Sequence, residues 1–218
     1  MSDGRGHETT GDLGRRLKLM ILTRPTPACG RPLVDVVRDC LAAGATAIQL
    51  RDKDADARSL ATTCREVADV TRTGGALFIV NDRVDVALAI GADGVHLGPD
   101  DLPVAAVRAI APPGFVVGYS TDDPTLACRA REEGADYLGV GAVFGTRSKP
   151  GLENEAIGAA RVHDVLEASG LPGVGIGGID STNAAELFAI GAGVAVLSSV
   201  MGAPDPPAVV SAILAAAS

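Results

Sequence analysis

Short runs of apolar residues recur at nearly even spacing along this chain. Four of them lie just after a Gly-Ala pair, and the pairs are Gly44-Ala45, Gly91-Ala92, Gly134-Ala135 and Gly191-Ala192. Glycine adopts the left-handed backbone conformation that ends many helices without a steric penalty. A strand that is buried on both faces of a parallel sheet reads as a continuous apolar run. The repeat therefore predicts a helix that ends on glycine and turns directly into a buried parallel strand.

Four further apolar runs bring the number of predicted strands to eight. Their sequences are LKLMIL, LFIV, FVVG and GVGI. Helix-like patterns follow the runs, for example over residues 55–73, 84–90, 123–133, 183–190 and 207–217. Eight strand-helix units in one chain predict an α/β fold, a single (β/α)8 TIM barrel. An open doubly wound sheet is the alternative, although such a sheet rarely repeats its unit so evenly.

The chain of 218 residues has the length of one domain with a sizeable core. Its first 16 residues are polar and glycine-rich, which predicts a flexible N-terminal tail over 1–16 and a catalytic barrel over 17–218. The run LKLMIL contains Lys18 and stops before Arg24-Pro25, so it is too short for a secretory signal. No apolar stretch approaches the roughly 20 residues that cross a bilayer. We expect a cytoplasmic protein with no membrane partner.

Composition and charge limit the kinds of partner, core and compartment that this chain can have. The net charge of −8 and the absence of a basic stripe with interleaved aromatics argue against general nucleic-acid binding. Aromatic residues make up only 3% of the chain, so Val, Ile, Leu and Ala must build the core. The four cysteines show no metal-type spacing, which favours buried thiols in a reducing compartment. The oligomeric state stays open, and a homo-oligomer is compatible with the sequence.

Polar side chains stand where the predicted strands end, and the carboxyl ends of barrel strands meet at one rim. The second strand leads into Gln49, Arg51 and Lys53. Period-two geometry places Gln49 and Arg51 on one face, directed into the barrel mouth. A cation in that position favours a phosphorylated substrate. The alternative is surface pairing of Arg51 with Asp52 or of Lys53 with Asp54.

Carboxylates follow the third and fourth strands, in the segments VNDR and HLGPDD. Asn81, Asp82, Asp100 and Asp101 thus stand at adjacent strand ends, where the negative charges repel unless a cation lies between them. Mg²⁺ prefers oxygen ligands and usually binds one or two carboxylates together with substrate phosphates. Alternatively, Asp82 and Asp100 cap the helices that follow them. His96 fits a hydrogen-bonded structural residue better than a catalyst.

Three loops on the other side of the rim fit a phosphate. After the sixth strand, the segment GAVFGTRSKPG places Thr146, Ser148 and Lys149 in a predicted mobile loop, which could close over a phosphate or be an ordinary solvated loop. The seventh and eighth strands end in GIGGI and LSSV, where many barrels bind phosphate through backbone N–H groups. The residues that fit this role are Gly177, Gly178, Ser198 and Ser199.

These groups define two anion sites. The loops after strands seven and eight suit a monophosphate, while Arg51, Lys53, Lys149 and a metal on Asp82 and Asp101 suit a diphosphate. A monophosphate beside a magnesium diphosphate indicates displacement of pyrophosphate by a phosphorylated nucleophile.

Six motifs in order resemble the thiamine-phosphate synthase family over nearly all the chain from Leu17 onward. They are IQLRDK, VNDRVDVALAIGADGVHLGPDD, GYST, VGAVFGTRSKPG, VGIGGI and VLSS. The resemblance implies a (β/α)8 barrel that transfers a pyrimidinylmethyl group. Such an enzyme joins hydroxymethylpyrimidine diphosphate to thiazole phosphate, releases pyrophosphate and uses Mg²⁺. It also implies that the C–O bond breaks first, without a protein nucleophile.

The resemblance implies roles for individual residues. Gln49 and Asn81 would face the pyrimidine, and Asp82 and Asp101 would bind Mg²⁺. The groups implied for the diphosphate are Arg51, Lys53, Ser120 and Lys149. Those implied for the thiazole phosphate are Thr146, Ser148, Gly178 and Ser198.

The chain departs from the family pattern at four positions, namely Arg24, Pro99, Asp122 and Ala142. None removes a charge predicted to face the diphosphate, although Arg24 and Pro99 could reshape the mouth. Two alternative functions remain. A thiazole tautomerase would need a histidine where Asp122 stands, and a non-catalytic barrel that binds phosphorylated metabolites would not need the cation and carboxylate set.

Overall fold

Each apolar run of the sequence forms a strand, and the eight strands close into a parallel barrel in chain order. The computed structural model of the protein describes residues 10–145 and 156–217. The strands are β1 (Leu19–Leu22), β2 (Ala47–Leu50), β3 (Leu77–Asn81), β4 (Gly94–Leu97), β5 (Val116–Ser120), β6 (Tyr137–Gly141), β7 (Gly173–Ile176) and β8 (Gly193–Val196). The predicted (β/α)8 barrel is confirmed, and the open sheet is excluded because β1 pairs with β8.

In the described part of the chain, one helix precedes β1, and the other helices follow the strands and form the outer layer. They are α1 (Thr10–Arg16), α2 (Leu33–Ala42), α3 (Ala57–Thr73), α4 (Val84–Ile90), α5 (Val104–Ile110), α6 (Pro124–Glu132), α7 (Gly158–Ser169), α8 (Ala184–Ala189), α9 (Ser198–Met201) and α10 (Pro206–Ala215). Within the described residues, no helix is both long enough and apolar enough to span a membrane.

The Gly-Ala repeats behave as the pattern predicts. All four glycines have positive φ angles, and Gly91 ends α4 in the left-handed conformation at φ 66°. In three of the repeats, the residue after Gly-Ala also has a polar side chain that accepts the first free N–H of the neighbouring strand. The pairs are Thr46 Oγ1 with Leu19 N at 2.9 Å, Asp93 Oδ2 with Phe78 N at 2.9 Å, and Asp136 Oδ2 with Val117 N at 2.7 Å. The repeat therefore ends a helix and also satisfies a backbone donor at the amino end of the barrel.

The apolar core has two parts, one between strands and helices and one inside the barrel. Leu13 of α1 packs with the interior residues and is only 6% exposed. The prediction of a flexible tail over 1–16 is therefore wrong for residues 10–16. Leu13 and Leu17 lie four positions apart, which places both on one face of a helical turn against the interior. Residues 1–9 lie outside the described part of the chain.

The four cysteines are free thiols. Cys40 and Cys64 are buried on α2 and α3, and burial raises the pKa of Cys40 to about 12 and that of Cys64 to about 11. The prediction of buried thiols is confirmed for these two. It is wrong for Cys29 and Cys128, which are half-buried.

Candidate active site

The second strand places one buried amide and one half-buried cation at the barrel mouth. Gln49 is 3% exposed, and its Nε2 lies 3.3 Å from Met20 Sδ inside the barrel. The Arg51 backbone N–H donates to Thr23 Oγ1 at 3.1 Å, which joins the carboxyl ends of β1 and β2. The Arg51 guanidinium makes no ion pair or side-chain hydrogen bond with any described residue. A half-buried cation that forms no direct ion pair with a described residue favours an anionic ligand.

Lys53 faces a carboxylate of the next strand rather than its sequence neighbour. Its Nζ lies 3.7 Å from Asp82 Oδ2. Neither surface pairing considered from the sequence, Arg51 with Asp52 or Lys53 with Asp54, forms within the part of the chain that the structure describes. Both cations are therefore available to the mouth.

Two carboxylates approach each other at the ends of β3 and β4. Burial raises the pKa of Asp82, and the neighbouring Asp101 carboxylate raises it further, while Lys53 and Arg51 oppose the rise. Asp101 Oδ2 accepts the Gly98 N–H at 2.7 Å, which fixes this carboxyl group. Like charges held together in a partly buried position are costly unless a cation joins them.

The capping alternative for these carboxylates is wrong. The residues that precede α4 and α5 as N-caps are Arg83 and Pro103, and neither helix has a side-chain cap hydrogen bond. Asp100 is exposed beside Asp101. The acidic groups at this rim are thus not explained by helix capping.

The backbone of Asp82 is unusual. Among the described residues it is the one non-glycine with a positive φ, 62°. Its N–H donates to His96 O at 2.9 Å, so the next strand holds the turn in place, and Asn81 pairs in register with His96. Sparsely populated backbone conformations cluster at functional sites, because surrounding structure must hold them. The strain at Asp82 agrees with a functional role for its carboxylate.

His96 lies inside the barrel and is 8% exposed. Its Nδ1 lies 2.9 Å from Tyr137 Oη, and its Nε2 lies 2.8 Å from Ser120 Oγ at the end of β5. The expectation of a hydrogen-bonded histidine is confirmed. Sequence reasoning missed Tyr137, although a tyrosine inside a run of small aliphatic residues, YLGV, was a signal for a buried polar group.

The loops after β7 and β8, with residues 142–145 after β6, form the opposite part of the rim. Thr146, Ser148 and Lys149 lie outside the described residues. Gly177 and Gly178 have φ angles of 102° and 66°. A Cβ on Gly178 would lie 2.7 Å from a backbone oxygen of the loop after β6, so only glycine fits there without movement.

The two serines after β8 have different surroundings. Ser198, the first residue of α9, is exposed, whereas Ser199 Oγ is buried and has no hydrogen-bond partner among the described residues. Ser199 lines a groove of about 480 Å³ together with residues 180–182 and α10. Of the predicted site residues that the structure describes, only Ser199 lines that groove.

The fold and this arrangement define the class of protein. It is a (β/α)8-barrel protein whose cations, carboxylates and buried polar groups gather at the carboxyl ends of the strands, where such barrels carry their active sites.

Comparison with known proteins identifies the family. The model of the thiamine monophosphate synthase family matches residues 19–200, and the chain belongs to this family. The resemblance and the kind of enzyme predicted from the six motifs are confirmed. The Moorella thermoacetica thiamine-phosphate synthase is 48% identical over 177 residues, which are 81% of this chain and 84% of that protein.

Two further comparisons extend this result. The Gloeobacter violaceus thiamine-phosphate synthase is 46% identical over 202 residues, which are 91% of this chain but 58% of that longer protein. A solved thiamine phosphate pyrophosphorylase from Pyrococcus furiosus is 40% identical, covers 94% of this chain and 97% of its own, and superposes with a TM-score of 0.84.

Proposed function

We propose that the protein is a thiamine-phosphate synthase that joins hydroxymethylpyrimidine diphosphate to thiazole phosphate and releases pyrophosphate. Family membership supports the reaction class. The observation that carries the substrate assignment is the electrostatic interaction of two neighbouring carboxylates, Asp82 and Asp101, beside Lys53 and Arg51 at the barrel mouth. Cations alone would suit many phosphates, but a carboxylate pair among them suits a metal-bound diphosphate.

The donor set at Asp82 and Asp101 fits Mg²⁺. Both side chains offer oxygen ligands, and burial together with the Asp101 carboxylate raises the pKa of Asp82. Within residues 10–145 and 156–217, no cluster of three or more His, Cys, Asp or Glu side chains could hold a metal. Two carboxylates suffice for an ion that keeps several waters and shares substrate phosphates. Mg²⁺ bound there would neutralise charge on the departing pyrophosphate.

The surrounding residues would promote departure of pyrophosphate. Arg51 and Lys53, together with the predicted contribution of Lys149, would place positive charge near the leaving group, and Ser120 would offer a hydroxyl. Preorganised charges in a water-poor mouth stabilise developing negative charge more than solvent does. Gln49 and Asn81 would orient the pyrimidine, whose ring amino group spreads the positive charge left on the methylene carbon.

The second substrate then needs only orientation. Its phosphate would lie against a set of small groups on the loops after β6, β7 and β8, namely Thr146, Ser148, Gly177, Gly178, Ser198 and Ser199. The thiazole nitrogen attacks the pyrimidinylmethyl cation, so no protein nucleophile is required. Holding the reacting atoms together supplies much of the rate enhancement.

Turnover with both substrates and MgCl₂ tests the proposal, by following pyrophosphate and thiamine monophosphate together. We expect equal amounts of both products, none with either substrate alone, and none in excess chelator. Binding of both substrates without turnover would favour the non-catalytic barrel. Isomerisation of a non-aromatic thiazole tautomer, without pyrophosphate release, would favour the tautomerase.

A further inference from the structure

A chain of buried polar groups runs from the barrel interior to the mouth. Tyr137 is fully buried, and its hydroxyl lies 2.9 Å from His96 Nδ1. The other ring nitrogen, Nε2, lies 2.8 Å from Ser120 Oγ. Ser120 is half-buried at the end of β5, where it can meet a ligand. The chain therefore joins the core to a residue assigned to the diphosphate.

Two glycines make the space for this chain. Gly118 pairs in register with both His96 and Tyr137, and a Cβ on it would lie 2.5 Å from His96 Nδ1 and would overlap the Tyr137 ring. A Cβ on Gly139 would lie 2.9 Å from His96 Cε1. Because any larger residue would displace the imidazole, the interior is shaped around it.

The hydrogen-bond donors can be ordered from the buried end. Burial raises the pKa of the Tyr137 phenol above its usual value, and the nearby Gln49 amide opposes the rise, as a donor would, so the phenol keeps its proton and needs an acceptor for it. The acceptor that the structure supplies is His96 Nδ1, at 2.9 Å. Tyr137 therefore donates to His96 Nδ1. The neutral imidazole then carries its proton on Nε2 and donates to Ser120 Oγ. The Ser120 hydroxyl proton is left to point toward the mouth.

We propose that Tyr137 and His96 are positioning residues that hold the Ser120 hydroxyl as a hydrogen-bond donor toward a phosphate oxygen of the diphosphate. Ser120 Oγ has no other hydrogen-bond partner among the described residues, so its proton is available for this contact. The identity of the anion rests on the proposed function. The direction of the hydroxyl rests on the order of donors inferred along the contacts from Tyr137 through His96 to Ser120.

The order of donors has a chemical consequence for ligand choice. Phosphate oxygens accept hydrogen bonds and do not donate them when ionised, so they match a hydroxyl whose proton points outward. In the opposite tautomer, Ser120 would donate to His96 and present a lone pair to the anion, which repels it. The tautomer of one buried histidine thus decides whether this serine attracts or repels the diphosphate.

The tautomer can be measured directly in the unmodified protein. The chain contains three histidines, His7, His96 and His163, and His96→Gln identifies the His96 signals by their loss. Long-range proton–nitrogen NMR spectra at neutral pH distinguish a protonated Nε2 from a protonated Nδ1. We expect His96 to carry its proton on Nε2. A proton on Nδ1 would overturn the inference.

A double-mutant cycle tests whether the two residues act through Ser120. Binding of inorganic pyrophosphate with Mg²⁺, followed by calorimetry, should weaken roughly tenfold in Ser120→Ala, as expected for loss of a bond to a charged group. Tyr137→Phe should weaken binding several-fold, because the tautomer is no longer fixed. Added to Ser120→Ala, it should cause no further loss. Independent, multiplying losses would show that Tyr137 does not act through the serine.

Conservative variants separate positioning from packing. Tyr119→Phe removes a hydroxyl from the neighbouring residue of β5, outside the chain, and should leave pyrophosphate binding unchanged. His96→Gln retains an N–H donor near the Nε2 position and should bind within a few-fold of the parent. His96→Leu, which has no donor, should match Ser120→Ala. Equal binding by the Gln and Leu variants would contradict the proposal.

These measurements distinguish the inference from the proposed function. A protein with protonated Nε2 and coupled pyrophosphate binding, but no thiamine monophosphate formation, would retain the inference and remove the synthase assignment. A protein that turns over both substrates but has Nδ1 protonated would do the reverse. Failure of the unmodified protein to bind pyrophosphate would overturn the assignment of the anion.

Discussion

Charged side chains at the two ends of the barrel differ in their partners. At the amino end, Arg108 donates to Gly134 O and to Phe115 O, both at 2.6 Å, and to the Asp136 carboxylate. Asp136 also accepts the Val117 N–H at 2.7 Å. Arg108 and Asp136 thus find their partners within the chain, so this ion pair needs no ligand.

At the carboxyl end the charges are left partly uncompensated. The pKa of Asp82 is raised by burial and by the neighbouring Asp101 carboxylate. Lys53 is 3.7 Å from Asp82 with a mostly exposed side chain, while the Arg51 guanidinium has no ion-pair partner in the described part of the chain. In the same fold, the charges at the amino end therefore stabilise the structure, whereas the charges at the carboxyl end favour binding of a ligand. Substitutions at the two ends should separate activity from stability.

The largest expected effect is on turnover, at the carboxyl end. Asp82→Asn or Asp101→Asn should lower turnover on the order of a hundredfold or more, because a lost ligand charge weakens the metal that neutralises the leaving group. Steady-state kinetics with both substrates measures this. Asp100→Asn, an exposed neighbour, is the matched control and should change turnover little. Full activity of both variants in excess chelator would remove the metal assignment.

The second effect is on stability, at the amino end. Asp136→Ala removes the acceptor of both Arg108 and Val117 N, and should destabilise the fold by about 2 kcal/mol, as expected when partly buried donors lose a charged partner. Denaturant unfolding measures the free energy. Asp69→Ala, which breaks an exposed pair with Arg72, should cost about 0.5 kcal/mol or less. Comparable losses of unfolding free energy in both variants would show that the amino-end network stabilises the fold no more than an exposed ion pair does.

Much of the fold was predictable because one physical pattern repeats. Continuous apolar runs marked all eight strands, and the bounds of β7 match the run GVGI. The first helix was missed because polar and glycine residues dominate residues 1–16, while the burial of Leu13 depends on contacts inside the barrel. Local composition cannot reveal a helix that is stabilised by distant residues.

The site was predictable in its residue types but not in its contacts. Strand-end positions identified Gln49, Arg51, Asp82 and Asp101, yet only the closed barrel shows that Lys53 reaches Asp82. The role of Tyr137 depends on register across three strands, which no local pattern encodes. The different surroundings of Ser198 and Ser199 were likewise invisible in the motif LSSV.

The third prediction divides the carboxyl end into two anion sites. Lys149→Ala should slow bond cleavage roughly tenfold while leaving thiazole phosphate binding nearly unchanged, because its charge is assigned to the diphosphate. Ser198→Ala should show the opposite bias. Single-turnover kinetics and equilibrium binding of thiazole phosphate measure the two effects separately. Equal effects of both substitutions on both ligands would remove the division.

The smallest expected effect is on the stability of the fold. It is caused by Asp82, a residue of the site at the carboxyl end. The raised pKa of Asp82 means that the folded chain holds a proton on this group over a pH range in which the unfolded chain has lost it. In that range stability falls as pH rises, and the full penalty is present above the raised native pKa. In metal-free buffer near pH 7, Asp82→Asn should therefore be more stable than the parent, by roughly 1 kcal/mol or less for a partly exposed charge pair.

The advantage of Asp82→Asn should shrink as the pH falls below the ordinary carboxyl range, because Asp82 is then protonated in both states of the parent. Thermal unfolding across pH 3 to 7 with chelator present measures the difference, and Asp100→Asn should show none of this trend. Adding Mg²⁺ should stabilise the parent more than the Asn variant, since binding to the folded state adds to its stability. If Asp82→Asn is less stable than the parent at neutral pH, or if the difference in stability is the same at every pH, the carboxylate pair does not destabilise the folded protein.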